Sequence, residues 1–183
     1  MIVRRAPLTV LLLLVGLAGP AFPSDAPVAV FEELDGTWEG QFVGWDTSGQ
    51  ELYRIDVRQT YRTVDRRTQT VVVEDRMPDG TVIRGNGRNV ARRNADGELV
   101  LTCLVEKSNG DRVEHRGRTI DLPGGGHGLV WSSHAEGRVE TFVESVSREG
   151  DRWVYRIQGH GTYDGTTVIM SGRYVRVEAQ RGK

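Results

Sequence analysis

The sequence predicts an all-β protein, an antiparallel up-and-down β-barrel of about ten strands with a short N-terminal helix. Three observations carry that prediction. Short runs rich in valine, isoleucine, threonine and aromatic residues follow one another from Thr37 almost to the C-terminus, the composition that a pleated, half-buried surface prefers. Within these runs apolar side chains recur at every second position, the period of a sheet with one buried face. Turn chemistry separates the runs at short intervals, and short turns join antiparallel neighbours because a parallel crossover needs a dozen residues or more.

The elements follow in order. After Pro27, "VAVFEEL" makes one or two helical turns, with proline well placed at the start. The ten strand runs are "TWEGQFVGW", "ELYRIDVRQTY", "TQTVVVEDRM", "GTVIRGNGR", "ELVLTCLVEK", "DRVEHRGRTIDL", "HGLVWSSH", "RVETFVESVSRE", "DRWVYRIQGHG" and "TTVIMSGRYVRVE". In the second, Tyr53, Ile55 and Val57 share a face opposite Arg54, Asp56 and Arg58. In the fifth, Leu99, Leu101, Cys103 and Val105 alternate with Val100, Thr102, Leu104 and Glu106. In the ninth, Trp153, Tyr155 and Ile157 oppose Val154, Arg156 and Gln158. "SNGD" at Ser108–Asp111 is the strongest hairpin signal, and "PDG", "ADG" and "EGD" mark further tight turns. "NVARRNADG" and "PGGGHG" read as wider loops at a rim. Closing the sheet into a barrel removes the exposed edges that ten consecutive strands would otherwise carry.

The N-terminus carries an address rather than a fold. Arg4 and Arg5 precede the apolar run Leu8–Gly19, and small residues around Ala21 suit signal-peptidase cleavage. The domain reading is therefore a signal peptide over 1–21, an N-terminal segment with the short helix over 22–36, the barrel over 37–178 and a tail over 179–183. The expected location is periplasmic or secreted. The apolar run is shorter than the roughly 20 residues of a spanning helix. Loss of Arg4 and Arg5 takes the formal charge from −1 to −3, a balance without the basic face that nucleic acid requires. Outward charges such as Arg54, Asp56, Arg58, Arg112, Glu114 and Arg116 exclude a lipid-facing barrel.

"LDGTWEG" opens the first strand. Gly36 turns the chain into it, Trp38 is placed to plug one end, and Gly40 and Gly44 lie on the Trp38 face where the strand bends. The motif Gly36-Thr37-Trp38 resembles the opening of the calycins, the lipocalins and fatty-acid-binding proteins, and is similar to that of nitrobindin-like haem-binding barrels. The resemblance implies a ligand cavity in the barrel, and a basic residue from the last strand, Arg173 or Arg176, covering the tryptophan by cation–π contact. The fatty-acid-binding Arg-x-Tyr pair is altered, since Tyr174 directly follows Arg173.

Aromatic residues from different strands are expected to converge inside, because a barrel of eight or more strands has room for a small ligand. The expected ligand-binding residues are Trp45, Tyr53, Trp131 and Tyr155, with Arg173 as a polar anchor. The ligand class is a small apolar or amphipathic molecule, with no cofactor and no metal. Cys103 is read as a small core residue. Among His115, His127, His134 and His160 no local metal-chelating spacing occurs. His160, flanked by glycines, is the proximal-ligand candidate of a haem-binding alternative, and otherwise a solvent-exposed turn residue. His115, His134 or His160 would be the general base if the barrel were an enzyme. Glu74 with Asp75, and Glu140 with Glu144, are read as solvated surface charges. A filled barrel acting as an interaction module of the cell envelope is the third alternative.

Overall fold

The computed structural model describes residues 29–123 and 127–177, so the signal sequence over 1–21 and the tail over 179–183 lie outside the described residues. Among the described residues one helix, α1 (Ala29–Leu34), precedes ten strands: β1 (Gly36–Trp45), β2 (Glu51–Asp65), β3 (Thr68–Arg76), β4 (Val82–Arg93), β5 (Leu99–Lys107), β6 (Arg112–Asp121), β7 (His127–Ala135), β8 (Arg138–Glu149), β9 (Arg152–Tyr163) and β10 (Thr166–Val177). Each strand pairs antiparallel with its sequence neighbours, and β1 pairs with β10 to close the barrel. This is the up-and-down barrel that the alternation and turn chemistry predict. Among the described residues no helix is long and apolar enough to cross a membrane. Arg54, Asp56, Arg58, Arg112, Glu114 and Arg116 are exposed on the outside.

Turn chemistry sets the register. Gly110 in the Asn-Gly hairpin takes φ of 91°, and the Lys107 amide donates to the Asp111 carbonyl at 2.8 Å. That left-handed backbone is open to glycine without a steric cost. One predicted loop is strand instead. Asn89–Arg93 continue β4, pairing with Leu99–Cys103, and only the tight turn around Gly97 is left of the expected rim loop. The pairing of Ala91 with Leu101 explains it, since a buried small residue opposite a buried leucine extends the core ladder past the arginines. Of "PGGGHG", Gly124–Gly126 lie outside the described residues, and His127 and Gly128 belong to β7.

The end of the barrel beside α1 is filled. Trp38, Tyr155 and Leu101 are fully buried there, together with Tyr174, Phe31 and Leu34. Tyr155 packs on Trp38, Tyr61 and Tyr174, with ring centroids 5.7, 6.1 and 5.4 Å away. A six-residue helix leaves most of its terminal carbonyls without internal partners, and barrel side chains take them. The Trp38 indole donates to Leu34 O at 2.7 Å, the Gln69 amide to Phe31 O at 2.5 Å, and the Arg176 guanidinium to Glu33 O at 2.7 Å. Arg176 also lies 4.7 Å above the Trp38 ring, so of the two arginines considered it is the one that covers the tryptophan. Gly40 is required by close approach: a Cβ there would sit 2.0 Å from Arg173 O.

Trp38→Ala should therefore lower unfolding stability in chemical denaturation by about 3–5 kcal/mol, the range for a fully buried large aromatic. Arg176→Gln, which keeps the core and removes the cover, should cost only about 1 kcal/mol.

Candidate functional site

Away from α1 the interior is not filled. A cavity of about 200 Å³ lies there, walled on its apolar side by Phe42, Ile55, Val73, Val105, Phe142 and Ile157, with Tyr61 and Cys103 also lining it. It reaches the end where Lys107 and Arg138 stand beside the β5–β6 and β7–β8 turns. Val113 and His115 of β6 line it too, and both keep partial exposure on a face that would be fully buried if side chains filled the space.

The polar wall arises by strand parity. On β3 the inward series Val71, Val73 continues to Asp75. On β5 the series Leu101, Cys103, Val105 continues to Lys107. On β8 Phe142 stands between Glu140 and Glu144. Alternation carries charged side chains inward wherever the apolar rhythm runs on into a charged residue. Asp75 and Lys107 meet at 2.6 Å. Glu140, 1% exposed, accepts from His115 Nε2 at 2.7 Å and from Arg138 at 2.8 Å, and also takes the Tyr163 hydroxyl hydrogen bond. Burial pushes this carboxyl up, but His115, Tyr163 and Arg138 together outweigh it and hold it at about 2. Glu144 accepts from the Trp131 indole at 2.8 Å. Here burial dominates and raises its pKa, with Trp131, Tyr155 and His115 pulling less strongly the other way.

The surface reading of these acids is corrected. Asp75, Glu140 and Glu144 point inward, while Glu74 keeps the outer side and pairs with Arg84 at 3.2 Å. The signal was present in the sequence: these acids sit in phase with buried valines and phenylalanines.

The expected ligand-binding aromatics are placed differently. Tyr155 is fully buried beneath the cavity, in the stack on Trp38. Trp131 is buried behind the wall and reaches the cavity only through its bond to Glu144. Tyr53 is partly buried against Phe42, in the space that Gly44 leaves, and burial pushes its hydroxyl up to about 12. Trp45 follows a register shift after Gly44 and pairs with exposed Ile169, on the outer face. Arg173 is outward as well, bonded to Glu149 at 2.8 Å, because inward positions on β10 belong to Gly172 and Tyr174. None of these five forms the cavity wall.

Among the histidines, His127, His134 and His160 are exposed, and His160 lies within β9 rather than in a turn. His115 is the histidine in the cavity wall. Cys103 lines the cavity as well, its thiol pushed up to about 12 by burial and then by Glu144, and so is protonated. Among the described residues no group of three or more His, Cys, Asp and Glu is placed to hold a metal ion.

No protein-family model and no curated protein matches the chain. Among solved structures it is similar to a de novo designed fluorescence-activating β-barrel, at 13% identity and TM-score 0.41, over 82% of this chain and 99% of that one. It is also similar to a redesigned β-barrel, mFAP1, bound to DFHBI, at 12% identity and TM-score 0.39, over 80% and 97% of the two chains. Likenesses of this level say nothing about what this chain binds.

The two acids should respond to pH with opposite sign. Glu140, depressed in the fold, adds stability that is present above the ordinary 4.5 and is lost as pH falls toward about 2. Glu140→Gln should cost about 3–5 kcal/mol at pH 7, and its gap from wild type in denaturant titrations should close across that acid range. Glu144, raised in the fold, contributes below 4.5 and loses that contribution as pH rises through its folded value. Glu144→Gln should accordingly be at least as stable as wild type at pH 7 in the same titrations.

Proposed function

We propose that the chain is an exported, lipocalin-like carrier of the calycin class that binds a small, partly apolar molecule in the barrel cavity without transforming it. The observation that carries the reading is the division of the interior, packed solid beside α1 and hollow beyond it. A concave, mainly apolar space with a few fixed polar groups is the usual form of a small-molecule site. Calycin kinship is supported by Gly36-Thr37-Trp38 at the head of β1 and by Arg176 over the Trp38 ring. Export is supported by the basic start, the apolar run Leu8–Gly19 and the small residues that follow. The hollow interior disfavours a filled interaction module.

Native mass spectrometry of the protein purified from its own host should show a bound small molecule on a chain beginning at Phe22. Val73→Phe with Val105→Phe, which fill the cavity from two walls, should abolish that added mass while the fold persists by circular dichroism. A chain without added mass from its own host, with the filled variant behaving identically, would leave the carrier reading without support.

A second reading rests on one contact. His115 lines the cavity and is oriented by Glu140, which is the geometry of a general base with its positioning partner. Under that reading His115→Ala would abolish turnover of a cavity substrate while leaving its binding intact; under the carrier reading there is no turnover to lose.

A further inference from the structure

We propose that the ligand of this cavity is a small amine with a compact apolar body, and that the Glu144 carboxylate is its counter-ion. The inference rests on the carrier reading and names the ligand class for it. Three carboxyl groups point inward, Asp75 and Glu144 in the cavity wall and Glu140 buried beside it, and they are not equivalent. Asp75 is matched by Lys107 at 2.6 Å, and Glu140 by Arg138 at 2.8 Å with His115 beside it. Glu144 accepts from the neutral Trp131 indole at 2.8 Å and feels the charge of His115, but among the described residues no cationic side chain lies within ion-pair distance of it.

The charge bookkeeping of the wall then favours one sign of ligand. An anion would have to compete with Asp75 for Lys107 or with Glu140 for Arg138, whose buried Nε is left without a partner. A cation meets a carboxyl with which no basic side chain among the described residues forms an ion pair. The neighbouring surface suits an ammonium as well, because Phe42 and Phe142 stand 6.3 Å apart in the same wall, and aromatic faces attract cations. Burial holds the empty site's carboxyl toward its neutral form. An ammonium alongside favours the ionised form instead, so affinity rises with pH through the range in which Glu144 titrates. A volume of about 200 Å³ falls below that of pockets for drug-sized ligands, which limits the body to one ring or a short chain.

The test is calorimetric titration of the ligand-freed protein at pH 7 with three probes of one shape: 2-phenylethylamine, 2-phenylethanol and 3-phenylpropanoate. The amine should bind at least about tenfold more tightly than either of the others, as a desolvated charge pair requires. Glu144→Gln should bring the amine to the level of the alcohol and leave the alcohol unchanged. On the wild-type protein, amine affinity should rise with pH while alcohol affinity stays flat, a readout independent of the variant. Equal or tighter binding of the alcohol or the propanoate, or an amine affinity indifferent to Glu144→Gln and to pH, would overturn the counter-ion and leave the carrier reading standing. Failure of all three probes to bind would overturn both.

Discussion

Closing a ten-stranded sheet encloses more space than its inward side chains fill, and the Trp38 indole, bonded to the Leu34 carbonyl at 2.7 Å, seals one end of that space. The rest of the architecture follows from this contact. It fixes α1 across the barrel mouth, so Phe31 and Leu34 become core. It brings the helix carbonyls within reach of Gln69 and Arg176, and places Tyr155 on the tryptophan's inner face. A helix this short has little stability of its own. It persists because the barrel supplies both the apolar surface it covers and the donors its carbonyls need.

Sealing one end by packing leaves the other end to be finished by charge. There the interior positions hold acids and bases instead of large apolar groups, and burial makes each of them depend on a partner. Glu140 is the most heavily partnered, held ionised by three donors, and Asp75 is tied to Lys107. Together these pairs brace β3, β5, β6, β8 and β9 around the hollow where no core crosses between them. Glu144 is the exception. Its carboxyl faces the cavity with neutral donors and a raised pKa, an arrangement that does little for the fold and is disposed to interact with something else.

Much of this was legible in the residues themselves. The strand runs, the tight turns at Gly80, Gly97, Gly110 and Gly150, and the plug at Trp38 followed from period, turn chemistry and one motif. Parity also placed Tyr53, Cys103 and Tyr155 on inward faces. The site was legible only in part, because inward is not the same as cavity-lining. Tyr155 and Trp131 point inward but are consumed by packing, and Trp45, an odd number of residues from Trp38, lies on the outer face by parity alone. The acids were misread for a related reason. A glutamate between valines reads as surface when composition is weighed, and as interior when phase is counted.

The sequence alone determined the all-β class, the hairpin-by-hairpin connectivity and the alternating faces, because each is a local property of turn residues and a period of two. Only the tertiary structure decided which inward side chains fill the barrel and which bound an empty space. That depends on how closure staggers ten strands against one another, bringing His115 to Glu140 across 25 residues and Asp75 to Lys107 across 32. Distances of that kind are set by the whole ring of hydrogen bonds at once, and no single stretch of chain encodes them.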